Sequence, residues 1–561
     1  MGLWVLEPHS DEKVPGTIHI RRDTKRDMDL TRNLKHGTGR HSKTVLVPQP
    51  SDSPNDPLNW SQWRKNYTLI FLTIGTGIMS GTLNFVNPSN AAYAKYLGTN
   101  VSNLSQSISI ELLCVGVSVI VSSPAARIWG KRPVLLVSNI IAIIGYAIVL
   151  SNIRSMSYLY AGRAIHGLGL AGLEYLVTST IGDLFFVHER AFQIAVWHFG
   201  LQAGNSCGQV IGAQIVSAQS WYWAFTYAVI ITSVYTVIFF FSCPETSYIR
   251  PSRLNTDVRE TLYGENGSSQ DTTLKSLDAT TERKHIELNT VQQVPADIEE
   301  QPRTDNKTSY WSSLKVYNGR YSDDSLLLSI ITPFSVYMLP AVIWGAYGFG
   351  CSIAFAASFS VSLSSIFGGA PYHFTTSQIG LTVLASFVGG SLGNIIPGPI
   401  LDWLVKYMSR KNGGVYEPEF RNILLIPAFF LGLGGFWGFG LTLHYKCHWM
   451  APVFFYGLAT FAGAIVSLVS NAYLLDCHRL EAQEGYAAVT FGRSIFSFIM
   501  TFVINDWIAR DGILNVFFVI GTLHGLACIF GLILYVYGKR IRLAIHKNAF
   551  IQRYLGTVKM A

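Results

Sequence analysis

The sequence is poor in charge. Only 14% of its 561 residues are Asp, Glu, Lys or Arg, against about 25% in soluble domains. Cysteine is scarce and unpaired in pattern: there are seven, most of them set singly in apolar runs (Cys114, Cys207, Cys351, Cys528), which excludes both a disulfide framework and paired metal spacing. No Walker-type loop, dinucleotide glycine fingerprint or zinc-spaced His/Cys set is present, so ATP-driven work and cofactor redox chemistry have no warrant, and neither cofactor nor metal is expected. The first 63 residues lack a basic stretch followed by an apolar core and a cleavage site. No signal peptide is read there, and the N-terminus is expected to stay in the cytosol.

Apolar length is what the chain has instead, with 49% hydrophobic and 13% aromatic residues and a mean hydropathy of +0.29. These values place it among multi-pass membrane proteins. Residues 1–63 are polar and expected to be mostly disordered. Six apolar runs follow, at about 66–88, 105–125, 133–151, 158–182, 191–217 and 222–243. Residues 244–325 form a polar segment read as a flexible cytosolic loop, in which Tyr310 and Trp311 are candidate interface anchors. Six more runs lie at about 333–360, 377–402, 422–443, 451–475, 487–508 and 514–537, before a basic tail at 539–561. The seventh run is interrupted by Pro333 and Pro340 and admits a split in two. The domain plan is thus a tail (1–63), a six-helix bundle (64–243), a loop (244–325), a second bundle (326–538) and a tail (539–561).

The net charge of +8 is read as topology, not as affinity for nucleic acid. With both termini inside, 36 of the 42 Lys and Arg residues fall on the cytosolic side, four (Lys95, Arg154, Lys446, Arg510) outside, and two (Arg163, Arg493) within spans. The sequons at Asn100 and Asn103 fall in the first outside loop, where glycosylation is expected.

The stretch 160–190 is the most informative. It is long and apolar enough to cross a bilayer, yet carries Arg163, His166 and Glu174. A charge at membrane depth costs roughly 3 kcal/mol or more unless it faces protein or water. Helical spacing returns Glu174 to nearly the same face as Arg163, roughly 16 Å further along the axis. Gly162, Gly167, Gly169 and Gly172 predict close approach of a neighbouring helix. Glu174 reads as a titrating cavity carboxylate. Arg163 reads as a substrate or acid-tuning group or as the partner of Glu111 in span two, and His166 and Glu111 are further candidates. Gln202, Asn205 and Gln209 put a set of amides on span five, suited to hydrogen-bonding a substrate or another helix. Trp197, Trp221, Trp344, Tyr347 and Phe334 read mainly as belt or core residues.

The ordered motifs resemble the major facilitator superfamily, in particular its fungal twelve-span drug:proton antiporter branch. They are Asp56-Pro57-Leu58-Asn59-Trp60 with Trp63-Arg64-Lys65 before span one, and Ser123 to Pro133 after span two. Arg163, His166, Gly167 and Gly169 match the span-four motif, and Pro244-Glu245-Thr246 and Glu417-Pro418-Glu419 add two more. The resemblance implies an all-α fold of two six-helix bundles around a central cavity, with alternating access and a gate at Arg127, Gly130, Lys131, Arg132 and Asp402, to which Arg493 is added near the cytosolic end of span eleven. Where the superfamily motif carries Asp this chain has Arg127, so the latch of the first half is expected to be missing, with Asp402 at the equivalent place in the second. Gly204, Gly208 and Gly212 resemble the antiporter glycine motif, with Gln209 in place of its Pro and Ala213 in place of its last Gly.

The functional expectation is a monomeric plasma-membrane transporter for a small molecule, coupled to protons, exporting a drug-like compound or secondary metabolite. Uptake of an organic cation such as a polyamine or amino-alcohol is the rival. From other classes, a non-transporting receptor, or a lipid enzyme built on His188-Glu189 or Asp476-Cys477-His478, stays open.

Overall fold

The computed structural model describes residues 51–249, 309–413, 415–477, 482–551 and 554, with short pieces of the N-terminal tail at 4–7, 14, 17–19, 35, 46 and 48–50. Most of the expected central loop, and residues 478–481, lie outside the described residues. The first half has long helices at Gln62–Leu83, Val101–Trp129, Lys131–Ser151, Met156–Leu184, Val187–Ala218 and Trp221–Ser242. The second has them at Pro340–Gly368, Thr376–Lys411, Leu425–His444 and Met450–Cys477. A last continuous helical stretch, Ala482–Lys547, is broken at Gly512. Gly512 has φ 80°, a left-handed conformation that ends one helix and starts another, so this stretch is spans eleven and twelve. These twelve spans form two six-helix bundles.

Among the described residues nine helical stretches, the last of them holding spans eleven and twelve together, are long and apolar enough to cross a membrane by composition alone. Spans four and five are as long but are diluted by glycine and by the polar residues discussed above. The seventh apolar run does divide: a short helix at Leu326–Ser335 ends before Leu339, and the span itself is Pro340–Gly368, several residues later than hydropathy suggests. Pro340 sits in the first turn, where its missing N–H costs nothing.

The segment before span one is ordered where a disordered tail was expected. Asp56 accepts hydrogen bonds from the backbone N–H groups of Leu58 and Ser51, each at 3.0 Å, and Pro57 fixes the turn. Further back, Leu6 N–H donates to the Val536 carbonyl at 3.0 Å and Glu7 pairs with Lys539 at 2.6 Å, which lays the chain on the end of the second bundle.

Small residues set the helix spacing within the first bundle. Gly200, Gly204, Gly208 and Gly212 of span five lie against Thr73, Gly77, Gly81 and Phe85 of span one, and a Cβ at any of the four would overlap these atoms. Gly162 and Gly169 of span four meet span three in the same way, and Gly167 meets the Glu111 carbonyl of span two. The motif glycines are therefore packing devices. Replacing Gly208 with Leu is expected to lower the midpoint of thermal unfolding in detergent, at a cost of about 1–3 kcal/mol; an unchanged midpoint would contradict this packing.

Arg163, His166 and Glu111 form one buried cluster. Glu111 accepts from Arg163 at 3.1 Å and is hydrogen-bonded to His166 Nδ1, and all three are at most 4% exposed. The His166 ring lies 4.1 Å from that of Tyr146. Of the alternatives open for Arg163, the structure shows the pair with Glu111 of span two, inside the first bundle and apart from Glu174 along the helix. The physical reason is the carboxylate of Glu111, which neutralises a guanidinium that would otherwise need water. Truncating Glu111 to Ala leaves Arg163 buried and unpaired, with an expected loss of about 3–5 kcal/mol in thermal or denaturant unfolding. The double replacement Glu111→Met with Arg163→Met is expected to recover most of that loss, and no recovery would mean the pair is not the cause.

Candidate functional site

A chamber of about 100 Å³ lies between the bundles, lined by spans four, five, seven, eight, ten and eleven. Glu174 from span four and Arg493 from span eleven meet in it as an ion pair that joins the two halves. Their side chains are 16% and 7% exposed. The Arg493 guanidinium also stands 5.1 Å from the centre of the Phe349 ring, a cation–π contact. Its Nε is buried with no hydrogen-bond partner among the described residues. Arg493 was expected near the end of its span as a gate residue; it stands in the chamber wall because Glu174 and Phe349 hold it there.

Span five supplies the amides as the sequence indicated. Gln202, Asn205 and Gln209 all line the chamber. Gln202 Nε2 donates to the Ser386 carbonyl at 3.3 Å, Asn205 Oδ1 accepts from Asn84 at 2.6 Å, and Gln209 Oε1 accepts from Ser360 at 3.0 Å. Sequence reasoning missed His198, Asn394, Tyr456 and Tyr486, which complete the wall. His198 could have been found, because it continues the helical row of Gln202, Asn205 and Gln209 one turn earlier. Asn394 sits in a glycine-rich stretch of span eight with no periodic signal. Of the aromatic residues singled out in the sequence, Trp197 lines the chamber, whereas Trp344 is a core residue.

The chamber is closed at both ends. At the end carrying most of the basic residues, Arg127 pairs with Glu484 at 3.3 Å and Asp324 at 3.4 Å and donates to Ser329 at 3.1 Å. The charge contact expected to be missing from the first half is therefore present with the charges exchanged: the arginine is on the first bundle, Glu484 is on the second, and Asp324 stands at the end of the loop between them. Gly130 turns the chain with φ 95°. Glu245 then accepts from the backbone N–H groups of Lys131 and Arg132 at 3.1 Å, and Lys131 reaches Asp183. Arg132 donates to the carbonyls of Phe240 at 2.7 Å and Ser313 at 3.0 Å. These contacts tie the loop to span six and to the short helix Tyr310–Ser313. Asp402 is exposed and makes no ion pair among the described residues. Its half is held instead by Arg421 and Tyr416, both on Asp476, and by Arg542 on Glu417 and Glu419. Burial and the Asp476 charge push the Tyr416 phenol well above its usual range.

At the opposite end the links are neutral. Asn505 donates to Ser105 at 2.6 Å, Thr501 to Ser109 at 2.8 Å, Asn87 to Ser360 at 2.9 Å and Gln214 to Ser377 at 2.6 Å. Pockets for drug-sized ligands measure about 300–1,000 Å³, so a chamber of about 100 Å³ is small for such a ligand.

The comparisons agree with this geometry. The profile of the Major Facilitator Superfamily matches residues 69–501. An uncharacterised MFS-type transporter of Schizosaccharomyces pombe is 24% identical over 95% of this chain and 93% of its own. Protein HOL1 of Saccharomyces cerevisiae is 24% identical over 97% of both chains. An efflux pump of Floropilus chiversii, radE, is 25% identical over 79% of this chain and 75% of its own. Among solved structures, a POT family transporter in complex with 5-aminolevulinic acid superposes with a TM-score of 0.55 at 13% identity, covering 88% of this chain and 99% of that one. Twelve spans, a chamber between two bundles and the family profile lead to one conclusion: the chain belongs to the Major Facilitator Superfamily and is a membrane transporter.

Proposed function

We propose that the chain exports a small drug-like molecule or secondary metabolite from the cytosol in exchange for protons, by alternating access of its two bundles across a plasma membrane. The observation that carries this reading is the Glu174–Arg493 pair, which closes the interface from inside the chamber. Protonating Glu174 removes its charge and weakens its hold on Arg493, so a proton arriving in the chamber loosens the contact between the halves. The resemblance to a named efflux pump supports the outward direction. In this reading the basic end and both termini are cytosolic, with 1–63, 244–325 and 539–561 flanking bundles at 64–243 and 326–538. Asn100, at the N-cap of span two, and Asn103, in its first turn, are both exposed; in this reading they lie outside and accept glycans. One chain encloses the chamber, so the monomer is the working unit. Uptake of an organic cation is the weaker reading, because Arg493 already occupies the carboxylate such a substrate would need.

In inside-out vesicles with an imposed pH gradient, reported by acridine orange, at least one member of a test panel of uncharged, anionic and cationic drug-like compounds is expected to release protons, and release by none of them would contradict proton-coupled export. Glu174→Gln is expected to cut that release at least tenfold while its melting temperature stays near that of the parent. Proton release by the variant equal to the parent's would remove Glu174 from coupling.

A further inference from the structure

The chamber wall is charge-balanced, and that limits what it can hold. Apart from the two tyrosines, its ionisable side chains are Glu174, Arg493 and His198. Glu174 and Arg493 cancel each other. A neutral imidazole leaves the wall with no net charge. A second cation at His198 would have no counterion among the described lining residues.

A charged ligand must either enter such a chamber unbalanced or displace one member of the pair. A cation that takes Glu174 leaves the Arg493 guanidinium, 7% exposed, without its carboxylate. An anion that takes Arg493 strands Glu174 in the same way. Stranding a buried charge is the expensive outcome in ion-pair energetics. A ligand without net charge avoids both penalties.

The wall also says what such a ligand must offer. The Arg493 Nε is a buried donor without a partner, so it asks for an acceptor. Gln209 and Asn205 already spend their carbonyl oxygens on Ser360 and Asn84. Gln202 and Asn394 spend their NH₂ groups on the carbonyls of Ser386 and Gly390. Their own carbonyl oxygens are left to accept from a ligand. Trp197, Phe349, Tyr456 and Tyr486 give the chamber flat apolar faces.

We infer that the transported molecule carries no net charge and is aromatic, with at least one hydrogen-bond acceptor held by Arg493 and one donor held by the Gln202 and Asn394 carbonyls. The inference rests on the transport reading above and narrows its substrate. It excludes polyamines and other polycations.

Three para-substituted nitrobenzenes that quench tryptophan fluorescence test it by binding alone: uncharged 4-nitroacetanilide, anionic 4-nitrobenzoate and cationic 4-nitrobenzyltrimethylammonium. They are titrated into the purified full chain at pH 7, and Trp197→Phe gives the signal of the other tryptophans. The uncharged probe is expected to bind at least tenfold more tightly than either ion. Glu174→Gln leaves the wall at +1 and is expected to shift the preference tenfold or more toward the anion. Arg493→Gln leaves it at −1 and shifts the preference toward the cation. Tightest binding of the cation to the parent protein, or charge preferences that neither substitution moves, would overturn the inference. So would the absence of any Trp197-dependent quenching. None of these outcomes touches the proton-release experiment, so failure of the substrate class is distinguishable from failure of the transport reading.

Discussion

A carboxylate and a guanidinium facing each other between two otherwise apolar bundles are the constraint on which the rest depends. Each would be costly at membrane depth alone. Together they are tolerated, and because Glu174 belongs to one half and Arg493 to the other, the tolerance lasts only while the halves are closed. Parting the bundles means giving each charge a new partner, which water, a proton or a ligand can supply. In the proposed cycle the pair is a contact with two acceptable states, which is what a switch between conformations requires.

The rest of the first bundle is built so that motion concentrates at that interface. Span four is fixed to span two by Glu111, Arg163 and His166, and to span three by glycines in backbone contact. Span five is fixed to span one by a row of four glycines. Between the halves the contacts away from the chamber are of another kind. They include neutral hydrogen bonds such as Asn505 to Ser105, each worth about 0.5–1.5 kcal/mol, and partly exposed charges at Arg127. Beside them span two packs directly on span eleven, where Gly116 meets Ser494 and Phe491. The Arg127–Glu484 pair places one charge of each sign on opposite bundles, with the positive one on the first.

Much of this was legible in the chain because hydropathy and positive charge are properties of whole segments. Twelve runs, the basic segments and the glycine spacing of spans four and five can be read without knowing any contact. The amide row of span five was readable for the same reason, since Gln202, Asn205 and Gln209 share a helical face. Contacts between residues hundreds of positions apart were not. Helical spacing keeps Arg163 and Glu174 about 16 Å apart, but nothing local tells that Glu174 will meet Arg493 until the bundles are docked. The position of the seventh span was misread because residues 326–335 are as apolar as a span but too short to be one. Asp402 was given a latch role by its place in a repeat, yet it is exposed, and Asp476 receives the arginine instead.

The central claim is that the Glu174–Arg493 pair faces a passage open in turn to each side of the membrane. The most direct measurement places a single cysteine at Gln202 in a background lacking the seven native cysteines, and labels it with a membrane-impermeant thiol reagent from either side of oriented vesicles. The account predicts labelling from both sides, with the ratio between them shifted by Glu174→Gln. Labelling from neither side, or from one side only whatever the state of Glu174, would contradict it.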